Sequence, residues 1–321
     1  MTNEREVNNR TGDQRNRRYD AVLLIAFGAP ARPGEIRQFL AELLKGRPIP
    51  PSRVEEVVQH YEAIGGYSPF NENTLAQAAA LREKLDREGP RLPVYVGMRN
   101  WTPYLRDVLR EMSQAGIRRA VGLVMAPHRS EASFDRYVAS VREAQAELGA
   151  AAPEVDYVGN WHDHPLFIEA VAALTSAAMA QLTEAERSAA QLIFTAHSIP
   201  TPMAAASRYV EQVTDSARLV ARAVSHQAWS LAFQSRSGSP REPWLEPDIA
   251  EVIRGLGGRP AVVVPIGFIC DHVEVLYDLD IAVAAIAREA GVHVVRAGTV
   301  NSHPRFVEMM ADVIRRHVDR G

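Results

Sequence analysis

The chain has a single cysteine, Cys270, in 321 residues. An internal disulfide is therefore excluded, and so is a metal cluster held by several thiolates. Long hydrophobic runs are also missing. The longest, 21–31 and 260–270, fall well short of the roughly 18 apolar residues that cross a bilayer. An excess of charge of one sign is also missing, with a net charge of −3, so nothing drives the chain generally towards nucleic acid or anionic membrane. The spaced glycines of a dinucleotide loop and the Gly-Lys-Ser/Thr of a phosphate loop do not occur, and nucleotide chemistry is not expected. Residues 1–18 carry five Arg but no apolar segment and no cleavage pattern, which is unlike a secretory leader. They are expected to be a disordered tail, and the compartment to be cytoplasmic.

What is present is an ordinary globular composition, 46% apolar and 23% charged, in a chain long enough for two domains. Eight short, β-rich apolar runs stand out at 21–27, 94–97, 120–126, 155–158, 192–195, 230–233, 261–268 and 292–296. Amphipathic stretches fill the gaps, among them 73–88, 102–115, 133–148, 209–224 and 281–290. Strands alternating with helices imply right-handed crossovers and parallel sheets, with four strands in each half. A local repeat supports related halves: Gly159-Asn-Trp-His-Asp-His-Pro-Leu-Phe-Ile-Glu169 matches Gly298-Thr-Val-Asn-Ser-His-Pro-Arg-Phe-Val-Glu308. The expected division is 19–180 and 181–321, with the boundary in the polar stretch 181–188. Pro at the first helical turn with an acid nearby is also plain helix-start chemistry, so convergence stands as the other explanation.

In open α/β sheets ligands bind beyond the carboxyl ends of the strands, so polar residues there are the site candidates. His197 follows the fifth run, where its ring would enter the crevice. The seventh run breaks at Gly267 and leads to Asp271, Glu274 and Asp278, which share one helical face at 3.6 residues per turn. A His and a carboxylate across a cleft suit proton transfer or metal handling. Two structural readings stand beside this one. His197 also reads as a core histidine, and Asp271-x-x-Glu274 as a capping box. His162 and His164 lack a third ligand and read as structural, whereas His128, just past the third run, is open to either use. Between the first two runs lies a long excursion, with Arg47-Pro-Ile-Pro-Pro51 and Tyr61-Glu-Ala-Ile-Gly-Gly-Tyr-Ser-Pro-Phe70. Inserted segments at strand ends form walls and lids, and this aromatic, glycine-rich one suits a large flat apolar ligand.

Taken together these stretches resemble the ferrochelatases, class II chelatases that insert metal into porphyrin. The resemblance rests on Phe27-Gly-Ala-Pro30, Tyr61-Glu-Ala-Ile-Gly-Gly-Tyr-Ser-Pro69, Gly97-Met-Arg-Asn-Trp101 and Ala126-Pro-His-Arg-Ser130. It continues through Thr195-Ala-His-Ser-Ile-Pro200, Gln234-Ser-Arg-Ser-Gly238 with Pro243-Trp-Leu-Glu-Pro247, and Val264 to Asp278. These motifs run in family order and cover nearly the whole chain after residue 19. In look they are nearest to the soluble, monomeric bacterial coproporphyrin III ferrochelatases.

The resemblance implies an α/β fold of two Rossmann-like lobes, each a four-stranded parallel sheet flanked by helices, with a porphyrin cleft between them. It also implies a last helix, about 304–317, packed towards the first lobe. His197 is expected at the porphyrin nitrogens and Glu274 opposite it, the two serving as catalytic and metal-handling groups. Asp278 and Asp280 would form an acidic relay, shortened because Ala282 stands where a further acid often follows. Phe27, Arg47, Tyr61, Ser68, Arg99, His128, Arg129 and Trp244 are expected at the porphyrin, the three arginines as partners for its carboxylates. Relatives carry Tyr or Met in place of Phe27. Fe²⁺ enters as substrate, no cofactor is held permanently, and the single cysteine excludes the iron–sulfur cluster of some relatives. The implied partners are porphyrin and Fe²⁺, with no nucleic acid and no transmembrane segment. Two other readings remain: a non-catalytic haem or porphyrin carrier, and a cobalt or nickel chelatase of the same superfamily.

Overall fold

The computed structural model describes residues 19–46, 50–237 and 242–320. The expected tail and Arg47 lie outside the described residues. The eight apolar runs form two separate four-stranded, all-parallel sheets. The first contains β1 (Ala21–Ala26), β2 (Val94–Met98), β3 (Arg119–Val124) and β4 (Glu154–Tyr157), in the order β2-β1-β3-β4. The second contains β5 (Gln191–His197), β6 (Trp229–Gln234), β7 (Ala261–Val264) and β8 (Val294–Arg296), in the order β6-β5-β7-β8. The central strand β1 is buried along its whole length, as expected where helices cover both faces of a parallel sheet.

The helices of the first half are α1 (Ile36–Leu43), α2 (Pro51–Ala63), α3 (Phe70–Glu88), α4 (Leu105–Gln114), α5 (Arg136–Leu148) and α6 (Pro165–Met179). Those of the second are α7 (Glu184–Ala189), α8 (Thr201–Ala205), α9 (Tyr209–Ala223), α10 (Ile249–Arg254), α11 (Val273–Leu276), α12 (Ala284–Glu289) and α13 (Pro304–Arg320). Short π-helical segments precede α5 (Glu131–Asp135) and α12 (Asp278–Val283).

One expected strand is cut short. The apolar run 261–268 supplies a strand only to Val264, because Pro265 has no N–H for the ladder. The chain then turns back, Ile266 N donating to Val264 O at 2.8 Å and Gly267 N to Thr195 O at 3.0 Å. Gly267 lies so close to β5 that a Cβ there would be 2.7 Å from Ala196 Cα. No larger residue fits without moving backbone.

The registers superimpose the two sheets residue for residue. Ala21 pairs with Ala120 and Val22 with Val94, whereas Gln191 pairs with Ala261 and Leu192 with Trp229. Counting along the central strands from these pairs, Phe27 falls at the position of His197. The His-Pro repeat opens the last helix of each half. His164 Nδ1 accepts from Leu166 N at 3.3 Å, and His303 Nδ1 from Arg305 N at 3.2 Å, so both histidines cap their helices. Each of these helices then crosses to the opposite half. Helix α6 packs on α9, β7 and β8, while α13 packs on α3, β3 and α6. His164 Nε2 meets Asp312 Oδ2 at 2.8 Å, Arg315 donates to Gly89 O at 2.9 Å, and the Tyr19 hydroxyl meets His317 Nε2 at 3.1 Å. The exchange merges one face of each sheet into a single apolar core, running from Val22, Leu24 and Leu81 to Phe194, Phe306 and Ile314.

Candidate active site

On β5 the side chains of Ile193, Thr195 and His197 alternate onto one face, because successive strand residues point to opposite sides. Ile193 packs there with Val263, Val275, Leu279 and Val283, so this face is the one covered by α11 and the segment after it. His197, at the strand's end, therefore emerges between sheet and helix. Glu274 of α11 comes to meet it, with Oε2 3.6 Å from His197 Nδ1. Both side chains are about one-third exposed, His197 at 31% and Glu274 at 38%. The main chain under His197 is pinned, its carbonyl accepting from the buried Tyr209 hydroxyl at 2.9 Å.

The expected capping role of Asp271 is corrected by the structure. His272 caps α11, its Nδ1 accepting from Glu274 N at 3.2 Å. The Asp271 carboxylate is turned the other way, accepting from Thr299 Oγ1 at 3.1 Å and facing Arg296 at 3.4 Å. A short-range capping box needs the acid at the last extended residue, and tertiary partners for Asp271 move that residue one place on.

The two further acids separate. Asp278 accepts a hydrogen bond from Ser235 Oγ, and burial pushes its carboxyl up to about 7, with the Glu274 charge adding and Ser235 opposing. Asp280 is committed to Arg296 in a bidentate pair, Nε–Oδ1 2.5 Å and Nη2–Oδ2 2.9 Å. Residues two apart stand about 200° round a helix, so these acids were bound to face apart. Glu274 and Asp278 stand on the His197 side; Asp280 does not join them.

The remaining expected residues are spread over several elements of both halves. Phe27, 36% exposed, is one of four large exposed hydrophobic residues among those described. Tyr61 is buried beside Phe39, Val58 and Trp101, and burial, with the Glu274 charge, pushes its phenol up. Ser68 is buried at the start of α3, its N donating to Pro30 O at 3.0 Å. Arg99 donates to Ser140 Oγ at 3.1 Å and lines a cavity of about 270 Å³ with Asn100, Tyr104 and Arg106. Arg129 pairs with Asp135 at 3.0 Å and lies 4.2 Å over the Phe134 ring. His128 is packed between the lobes, its Nε2 3.0 Å from Ser216 Oγ, and burial pushes it down to about 3, so the ring is neutral. Trp244 is half-buried and bridges to Pro200.

Four residues that sequence reasoning did not single out also shape the site. Gln234 and Ser235, at the end of β6, grip the acidic segment, with Gln234 Nε2 donating to Glu274 O at 2.6 Å. His60 of α2 stacks on Tyr277 at 3.7 Å and 15°, joining the long excursion to that segment. The motif containing Gln234 was visible, but a backbone contact to α11 leaves no periodic trace. Among the described residues no three His, Cys, Asp or Glu side chains gather as a metal-holding group. His197 and Glu274 thus form a two-donor site backed by one buried acid, suited to taking up protons and holding a divalent cation briefly.

Residues 19–318 match the family model described as Ferrochelatase. The chain belongs to the ferrochelatase family. Ferrochelatases insert iron into porphyrin in haem biosynthesis, and this chain is an enzyme of that kind. It is 42% identical to the coproporphyrin III ferrochelatase of Mycolicibacterium smegmatis, over 92% of this chain and 89% of that one. It is 43% identical to the coproporphyrin III ferrochelatase of Streptomyces griseus, over 94% and 87%. A protein of Rhodopirellula baltica named ferrochelatase is 39% identical over 94% and 87%. Among solved structures, the sirohydrochlorin chelatase SirB of Bacillus subtilis, in complex with cobalt, has the same fold. Its TM-score is 0.57 at 10% identity, covering 94% of this chain and 96% of that one. Among the described residues, no helix of this ferrochelatase is long and apolar enough to cross a membrane.

Proposed function

We propose that this ferrochelatase inserts Fe²⁺ into coproporphyrin III, with His197 and Glu274 as the proton-accepting pair and Asp278 as the onward acceptor. The observation that carries the reading is the His197–Glu274 pair, 3.6 Å apart at the carboxyl edge of the second sheet. Insertion replaces two pyrrole N–H bonds by Fe–N bonds and leaves two protons to remove. The imidazole of His197 takes a proton from a pyrrole nitrogen and passes it to Glu274, and Asp278 receives it one turn further on. Asp278 releases that proton to solvent before the cycle repeats for the second, so charge balances when Fe²⁺ replaces both. A porphyrin nitrogen presents its lone pair to a metal only when the ring is bent, and contacts at the ring's periphery supply the binding energy for that distortion. Phe27 and Trp244 serve as the apolar wall with the buried Tyr61 packed in the core of the first half, and Arg47, Arg99 and Arg129 as candidates for the ring's carboxylates. Tetracarboxylic porphyrin is favoured by the names of the relatives above. We read the protein as a cytoplasmic monomer without a resident cofactor.

The test is the Soret-band change when Fe²⁺ is added anaerobically to protein with coproporphyrin III or protoporphyrin IX. The expected kcat/KM is higher for coproporphyrin III, and His197→Ala lowers kcat by about a hundredfold or more. Equal or reversed preference would remove the substrate assignment, and an unimpaired His197→Ala the mechanism.

A further inference from the structure

We propose that Gln234 is a positioning residue whose amide holds the first turn of α11 to the end of β6, and so sets how far Glu274 stands from His197. The inference rests on the reading of His197 and Glu274 given above. Gln234 is the register partner of His197 on the neighbouring strand, and its carbonyl accepts from Ser198 N at 2.8 Å. The two strand ends are thus locked together, and His197 is held again through the Tyr209 hydroxyl. Glu274 has no such support from its own helix. Helix α11 is four residues long, between an irregular stretch and a π-helical segment. A single turn has little intrinsic stability, and carbonyls near its end need partners from elsewhere. The Glu274 carbonyl takes the Gln234 Nε2 at 2.6 Å, inside a site where Gln234 is 1% exposed.

The next residue extends the same grip. Ser235 adopts φ 63°, a left-handed conformation uncommon outside glycine, and its hydroxyl donates to Asp278. Such conformations persist where surrounding structure enforces them, often at functional sites. The first lobe offers a control on the geometry. Arg99 follows β2 at the position of Gln234, and it too reaches the helix beyond the sheet's third strand, donating to Ser140 of α5. A cation there would pair with Glu274, the one acid of α11, whereas a neutral amide bound to the main chain places the turn without altering its charge.

The experiment is Fe²⁺ insertion by Gln234→Met and Gln234→Glu, each alone and with Glu274→Gln, with porphyrin affinity from fluorescence quenching and folding from circular-dichroism melts. Methionine keeps the volume without the donor; an ionised glutamate keeps the shape without it. We expect kcat to fall roughly ten- to a hundredfold in both single variants, with porphyrin affinity held within a few-fold. In the Glu274→Gln background the same substitutions should cost less than about twofold more, since the group being positioned is already gone. Wild-type kcat in the single variants, or losses that multiply in the double variants, would overturn the inference. Wild-type activity in Glu274→Gln alone would remove the pair, and Gln234's role with it, which separates the two failures.

Discussion

Phe27 directly follows the central strand of the first lobe, and the second lobe has His197 at the same register position. The difference continues past the third strand of each sheet. Two residues beyond the cap Ser130 stands Ala132; two residues beyond the cap His272 stands Glu274. Both lobes place a π-helical segment ahead of the following helix, and both exchange a terminal helix with the other half. One frame used twice thus carries an exposed aromatic ring on one side and the His197–Glu274 pair on the other. On the function proposed above, an apolar ring in one lobe and a proton-accepting pair in the other suit a planar, apolar substrate with exchangeable central protons. The strand orders and registers of the two sheets match, and the residues at two equivalent positions differ in chemistry.

The sharpest way to break that contrast is to give the second lobe the first lobe's residue. His197→Phe keeps a ring of similar size and removes the base. Insertion is expected to fall by about a hundredfold or more, while porphyrin still quenches and binds within a few-fold of wild type. Insertion surviving within a few-fold would mean that the equivalence of the two positions has no chemical content.

Next in size comes an asymmetry of packing. Met125 N donates to Ile25 O at 2.9 Å in the first lobe, as Gly267 N does to Thr195 O in the second. The first lobe accepts a long side chain there, but the second has Ala196 Cα 2.7 Å from where a Cβ would sit. Gly267→Ala is expected to cost about 1–3 kcal/mol of stability and lower Tm by several degrees, since overpacked backbone must shift. It should also reduce insertion, because the displaced segment leads into His272 and Glu274. An unchanged melting curve would show that the segment 265–272 is looser than its contacts imply.

Much of this was legible in the sequence because parallel strands buried on both faces read as apolar runs. All eight were visible, as were the candidates His197 and Glu274 at their ends. The errors have local causes. Pro265 ended β7 inside a run whose composition still looked like strand. Asp271 matched a capping box by spacing, but Thr299 and Arg296, distant in sequence, draw its carboxylate away. Asp280 matched an acidic row by proximity in sequence and is instead held by Arg296. Periodicity reports which residues share a face; it does not report which partner from another element claims a charged group.

A smaller effect is expected from the apolar side of the comparison. Phe27→Ala removes a third-exposed ring from the first lobe. An aromatic contact is worth about 1 kcal/mol beyond its area, so porphyrin KM should rise roughly three- to tenfold. With the proton-accepting pair intact, kcat should stay within about twofold. A large drop in kcat with KM unchanged would move Phe27 from the wall into the chemistry.

The subtlest contrast lies six residues past each cap. There the first lobe has Arg136, paired in the open with Glu131 at 3.2 Å, and the second has Asp278, buried under Ser235. Burial raises the Asp278 carboxyl to about 7, from an ordinary 3.8. Between those values the folded protein keeps a proton that the unfolded chain has released, so the folded state loses stability as pH rises through the window. The contribution is fully present below the unfolded value and gone above about pH 7. Asp278→Asn cannot ionise and should flatten the fall of Tm between about pH 4 and pH 7, leaving the variant relatively more stable than wild type at the alkaline end. Arg136→Gln, at the equivalent surface position, should leave the shape of that curve unchanged, since an exposed ion pair contributes at most about 1 kcal/mol. Parallel curves for wild type and Asp278→Asn would show that Asp278 titrates like a surface acid, and would leave the second lobe with two acceptors, His197 and Glu274, in place of three.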